Sequence, residues 1–258
     1  MPRYRLLLEY DGTPFHGWQR QANGPSVQAT LEAALLACAG EPATVTAAGR
    51  TDAGVHALGQ VAHLDLARAW PPERLVGALN FHLRPAPIAV LEAREALPGF
   101  HARFSAVRRR YLYRILNRRA APALDRRRAW HVPVPLLPER MHAAAQCLVG
   151  RHDFTSFRSS ECRSASPVKT LDLVHVRQAG ELVEIRLAAR SFLHHQVRNI
   201  VGTLKLVGEG KASVGHVQAV LETRDRAAAG QTAPAEGLYL EGVDYRDDVP
   251  AQEGSPVR

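Results

Sequence analysis

The stretch Thr44-Val45-Thr46-Ala47-Ala48-Gly49-Arg50-Thr51-Asp52-Ala53-Gly54-Val55-His56-Ala57 places an arginine and a carboxylate two residues apart in a glycine-bracketed turn. Thr44–Ala48 opens with three β-branched residues and Gln60–Leu66 follows the turn, so both flanks read as strands. Gly49 and Gly54 admit backbone geometry that a β-branched residue resists, and Asp52 is expected at a rigid hairpin tip. Two readings compete there: an active-site loop, or an Asp-Ala-Gly turn whose carboxylate bonds nearby amides.

Outward from the turn, the first half reads as strand Tyr4–Tyr10, helix Ser26–Ala39, the two strands already named, helix Pro72–Leu83 and strand Ile88–Ala93. The order is βαββαβ. Ser26 is suited to cap the first helix, Val27, Leu31, Leu35 and Cys38 follow one face, and Gly40 ends it. The layout then returns: strand Arg110–Leu116, helix Glu139–Val149, strands Thr170–Arg177 and Leu182–Ala189, helical stretches Phe192–Val207 and Val214–Thr223, and strand Gly237–Val243. The expectation is an α/β (α+β) chain of two tandem βαββαβ halves, ferredoxin-like or RRM-like, forming a mostly antiparallel sheet with helices on one face. Residues 1–105 form the first half, 106–243 the second, and 244–258 a polar, mobile tail.

With 258 residues, 46% of them hydrophobic, the chain can bury a large core without staples. Cys38, Cys147 and Cys162 are odd in number and widely spaced, which indicates neither a disulfide framework nor a zinc site and fits a reducing cytoplasm. The N-terminal apolar run is too short for a secretory signal and no stretch suits a membrane span, so a soluble, unexported protein is expected. Charge is concentrated. Residues 108–128 hold nine arginines and one acid, Asp125, and account for the whole formal net charge of +8. Guanidinium suits bidentate phosphate contact and base stacking, which points to a polyanion partner along Arg108, Arg109, Arg110, Arg118, Arg119, Arg126, Arg127 and Arg128.

Several catalytic layouts drop out. Gly208–Ser213 lacks the glycine spacing and the Ser/Thr of a phosphate loop, and no nucleophile elbow or dinucleotide fingerprint occurs. His194-His195 is the most tempting histidine pair, yet adjacent helical residues point in different directions and no third ligand stands at metal-site spacing. No metal and no cofactor are therefore expected. A lone aspartate with nearby arginines suffices for a redox-neutral rearrangement in which it serves as nucleophile or base.

From Tyr10-Asp11-Gly12 to about Leu240 the chain resembles the TruA family of tRNA pseudouridine synthases, with several motifs agreeing in order and spacing. The resemblance implies the pseudouridine synthase fold and isomerisation of uridine to pseudouridine in the anticodon stem-loop of tRNA, at the family's positions 38, 39 and 40. It implies Asp52 as the catalytic carboxylate and Arg50 as the arginine that helps expel the base and fills its place. It makes Tyr111 the ring that stacks on the target uracil, Arg198 a partner of the aspartate, and Leu238 an apolar pocket residue. The block Tyr10–Gln19 matches the family's first-strand loop, taken to contact RNA and shape the cleft. A homodimer in which one tRNA touches both subunits is implied as well.

Physical chemistry agrees with those roles. A stacked uridine must be flipped out before it reacts, and an aromatic ring plus a guanidinium can replace its lost stacking. Addition of Asp52 to uracil C6, attack on ribose C1′ and removal of the C2′ proton, the glycal route towards which this reading leans, all require the same carboxylate. A non-catalytic double RNA-binding module is the alternative, as is a synthase acting on another RNA. No aromatic RNA-binding motif of the Gly-Phe-Gly-Phe kind supports the module.

Overall fold

Alternation becomes burial in β1 (Arg3–Tyr10), where Tyr4, Leu6, Leu8 and Tyr10 turn inward and the residues between them do not. The computed structural model describes residues 1–246. After β1 come α1 (Val27–Ala39), β2 (Thr46–Ala47), β3 (His56–Asp65), α2 (Pro72–Leu83) and β4 (Ile88–Glu95). The second half runs β5 (Ala106–Leu116), β6 (Trp130–His131), α3 (Pro138–Ala145), β7 (Gly150–Asp153), β8 (Val168–Ala179), β9 (Leu182–Ala189), α4 (Gln196–Gly208), α5 (His216–Thr223) and β10 (Leu238–Tyr245). Ser26 caps α1, its Oγ accepting from Ala29 N at 3.2 Å, and Gly40 ends the helix with φ 73°.

The strands lie in the order β4-β1-β3-β10-β5-β9-β8-β7, with β2 added to β3 and β6 to β5. The expected repeat is visible in that order: β4-β1-β3-β2 and β10-β5-β9-β8 have the same relative arrangement. All pairs are antiparallel except β3 with β10 and β5 with β6. The fold is thus α+β, with α1 against α2 over one half and α3 against α4 and α5 over the other.

Strand β3 joins the halves. Its beginning pairs with β10, at His56 with Tyr239 and Ala57 with Leu240, and its end pairs with β2, at Ala62 and His63. The cores interlock at this seam. Leu240, Val243 and Tyr245 of β10 enter the first core, while Val55 of the first half enters the second. No helix among the described residues is long and apolar enough to cross a membrane.

Several boundaries differ from the sequence expectation. Only Thr46 and Ala47 of 44–48 pair as a strand, whereas β3 starts at His56, because the parallel partner β10 supplies ladder bonds that local sequence does not reveal. The helix expected over 139–149 gives way after Ala145 to a 3₁₀ turn, and the short strands β6 and β7 carry no local signal of their own. Phe192–His195 is loop, so α4 starts at Gln196. Asp244 and Tyr245, expected in the tail, end β10, with Tyr245 OH donating to Ala102 O at 2.6 Å. The remainder of that expected tail, 247–258, lies outside the described residues.

Candidate active site

Asp52 sits in the loop between β2 and β3, beside the seam. The loop is held from below. Buried Thr51 Oγ1 is 2.8 Å from Tyr10 OH, and Trp18 N donates to Thr51 O at 3.0 Å. Gly54 N donates to Phe15 O at 3.2 Å, and Gln60 Nε2 donates to Gly49 O at 2.7 Å. Phe15 and Trp18, within the Tyr10–Gln19 block, are core residues that underpin this loop. Gly17 must be glycine: its φ is 96°, and a Cβ would stand 2.6 Å from Thr51 O. Gly54 has φ 76°, as expected of the turn, but a Cβ at Gly49 meets nothing within 4 Å, so Gly49 is not required by packing.

Three cationic or titratable groups converge on the Asp52 carboxylate, whose side chain is 30% exposed. Arg198 Nη1 lies 3.5 Å from Oδ2, His195 Nε2 lies 3.4 Å from Oδ2, and His194 Nε2 lies 3.5 Å from Oδ1. Arg198 is itself aimed by a bond from its Nε to Ala233 O at 2.7 Å. The sequence expectation for His194 and His195 fails here. His195 adopts φ 61° immediately before α4, so the pair is not helical and both rings face Asp52, with centroids 3.9 Å apart. Burial lowers the His195 pKa against the opposing pull of Asp52.

Tyr111, on β5 opposite Leu240, stands edge-on to Phe192 at 5.1 Å and 89°. Burial, and then the charge of Asp52, push its phenol above the ordinary tyrosine value, and burial pushes Tyr10 up to about 12. The first residue of β10, Leu238, is buried with Val55, Leu193 and Val197. Arg50 is exposed two residues before Asp52.

The arginine cluster divides into two kinds. Arg109 donates to Ala48 O at 2.9 Å, Arg103 O at 2.6 Å and Arg190 O at 2.7 Å, which ties β5 to the start of the Asp52 loop. Arg108 pairs with Asp172, Arg110 with Asp244 and Arg118 with Glu181. Arg119, Arg126, Arg127 and Arg128 are exposed, and their loop docks beside the site: Arg128 Nη2 reaches Asp11 Oδ2 at 3.4 Å. His56, which carries no distinguishing signal in the sequence, anchors that loop. Gly12 N donates to its Nδ1 at 3.0 Å, so Nε2 carries the proton and donates to Arg127 O at 2.9 Å. It stacks on Tyr239 at 4.7 Å, and burial lowers its pKa.

A doubled βαββαβ sheet with one carboxylate, faced by an arginine, in a loop at the seam of its halves is the plan of a pseudouridine synthase. The sequence pattern of the tRNA pseudouridine synthase family matches residues 7–105 and 144–246. A tRNA pseudouridine synthase A of Paramagnetospirillum magneticum is 61% identical over 245 residues, spanning 95% of this chain and 96% of that protein. Proteins of the same name from Agrobacterium fabrum and Caulobacter vibrioides are each 57% identical, covering 97% and 96% of this chain and 95% and 100% of their own. The chain belongs to the tRNA pseudouridine synthase family. It is an isomerase, and its reaction is conversion of uridine to pseudouridine in tRNA.

Proposed function

We infer that the protein isomerises uridines of the tRNA anticodon stem-loop, at the family's three positions, with Asp52 as the catalytic carboxylate and no cofactor. One observation carries this reading: Asp52 is partly open to solvent while Arg198, aimed by Ala233, stands on its Oδ2. An opposing guanidinium favours the ionised form that nucleophile or base chemistry needs. Tyr111 lies on the strand beside that carboxylate, suited to stack on a flipped uracil, with Leu238 lining the apolar side and Arg50 entering the vacated stack.

In the glycal route, Asp52 takes the C2′ proton as the C1′–N1 bond breaks and its electron pair leaves with uracil. Uracil C5 then attacks C1′, and the C2′ proton returns from Asp52. Loss of the C5 proton restores the ring, and N1 gains a proton. The exposed arginines 108, 119 and 126–128, with the partly exposed Arg110 and Arg118, would follow the RNA backbone, and Arg109, held by carbonyls, would support that track from below. The halves 1–105 and 106–243, a homodimer sharing one tRNA, and work in the cytoplasm complete the reading. The three cysteines, free of disulfides, suit that compartment.

Tritium release from C5-labelled uridine in an unmodified tRNA transcript tests it, with no metal or nucleotide added. Release by the wild type and none by Asp52→Asn, with tRNA still bound by both, is expected. Binding without release by the wild type would favour an RNA-binding role and leave Asp52 a turn residue.

A further inference from the structure

The two histidines that converge on Asp52 have no part in the reaction as described, and their geometry is that of a ligand set. The donor atoms of Asp52, His194 and His195 all lie within 4.8 Å of one another. Each imidazole presents Nε2 to a different carboxylate oxygen, at 3.5 Å from His194 to Oδ1 and 3.4 Å from His195 to Oδ2. Two donors held about 2.0–2.1 Å from a tetrahedral zinc ion stand about 3.3 Å apart. The His194 Nε2–Oδ1 spacing already suits an ion on Oδ1, and the His195 ring, within 4.8 Å of the other donors, has to close onto it.

The backbone under both rings is pinned. His194 N donates to Cys162 Sγ at 3.4 Å, Ser159 N donates to His194 O at 3.1 Å, and Asn199 N donates to His195 O at 2.9 Å. The left-handed backbone of His195 is what swings adjacent side chains to the same side. Side-chain exposures of 26–32% leave an entry path and room for water at the fourth position. Arg198 contacts Oδ2, so Oδ1 can bind an ion while the guanidinium keeps the other oxygen.

We propose that Asp52, His194 and His195 form a site for a divalent transition metal of the zinc class, and that an ion held there inhibits the enzyme by occupying the carboxylate the uridine needs. Two imidazoles and one carboxylate select borderline ions such as Zn²⁺, Co²⁺ or Ni²⁺ over Mg²⁺, which prefers oxygen ligands and retains its waters. The magnesium that accompanies tRNA would therefore leave the site alone. The binding half stands on geometry; the inhibitory half rests on Asp52 being the catalytic carboxylate.

The test is titration of the full-length, tRNA-free protein with Co²⁺, read by its visible absorption, followed by displacement with Zn²⁺ and a parallel titration with Mg²⁺. One strongly bound equivalent is expected, displaced by Zn²⁺ and not by Mg²⁺. His194→Gln and His195→Gln, made separately and checked for folding by circular dichroism, should each weaken it at least tenfold. His142→Gln, which alters the separate His142–His175 ring pair 5.0 Å apart, should not. Co²⁺ binding unchanged by both site variants, or no binding at millimolar Co²⁺, overturns the site. Zn²⁺ at site-filling concentration should abolish tritium release from tRNA, and excess tRNA should relieve it. Binding without inhibition overturns the inhibitory half. Absence of release before any metal is added would instead count against the catalytic reading and leave the titration intact.

Discussion

Arg198 Nη1 stands 3.5 Å from Asp52 Oδ2 while its own Nε is spent on Ala233 O at 2.7 Å, so the guanidinium is aimed by a hydrogen bond and faces the carboxylate as an ion pair. Replacing it with methionine keeps most of the stem that packs beside Ala233 but removes the charge facing Asp52. kcat for tritium release should fall on the order of a hundredfold, the usual loss when one positioned electrostatic partner is removed, with tRNA affinity nearly unchanged. Arg198→Lys restores charge without the two-atom fork and should recover part of the loss. Equal kcat in all three proteins would remove Arg198 from the chemistry.

The Asp52 loop depends on a close backbone approach. Gly17 combines φ 96° with a position where Cβ would meet Thr51 O at 2.6 Å, and both partners are backbone, so no side-chain rotation relieves the clash. Gly17→Ala should cost about 1–3 kcal/mol in stability, the range for backbone held in a rarely populated region. Activity should fall further than that loss of folded protein accounts for, since Thr51 is adjacent to Asp52. Gly49→Ala, with nothing within 4 Å of the added methyl, is the matched control and should leave urea midpoint and activity close to wild type.

Tyr10 lies beneath this loop and titrates late. An unfolded tyrosine ionises near pH 10, and burial raises Tyr10 to about 12 in the fold. Its folded pKa is the higher one, so the stability linked to it is whole below about pH 10 and is lost as pH climbs through 12. Tm measured against pH should drop steeply over that window. Tyr10→Phe, although it forfeits the 2.8 Å hydrogen bond with Thr51 Oγ1 and starts lower, should show a shallower drop. A parallel pair of curves would mean that another group governs the alkaline limit.

The elements legible in the sequence are those whose signals are local: the alternation in β1, the Ser26 cap and Gly40 stop of α1, and the hairpin of β8 and β9. The extension of β3 back to His56 is not among them, because it comes from pairing with β10, some 180 residues away along the chain. Asp52 and Arg198 are readable as motif residues, whereas the part played by His194 and His195 depends on one backbone angle. A helix continued through 195 would separate the two rings; φ 61° at His195 brings them together. Charge counting finds the arginine cluster but does not separate arginines bonded to carbonyls from those left facing solvent.

That separation gives opposite expectations for neighbouring arginines. The Arg109 guanidinium is taken up by the carbonyls of Ala48, Arg103 and Arg190, so Arg109→Ala removes the donor that ties the part-buried Ala48 carbonyl and the two exposed ones together and should cost about 1 kcal/mol of stability. Its effect on the salt dependence of tRNA binding should be small. Arg126, Arg127 and Arg128 are exposed on a loop fixed to the start of β3 by His56, and their replacement by alanine should leave Tm nearly unchanged. If they bind phosphates, each phosphate deprived of its arginine lowers the slope of log affinity against log salt by about 0.7–0.9, so the triple variant should flatten it by about two to three units and weaken binding most at low salt. Filter binding across a salt series, paired with thermal melts of both variants, measures the two effects separately. An unchanged slope in the triple variant would move the RNA track off this loop, whatever the fate of Asp52.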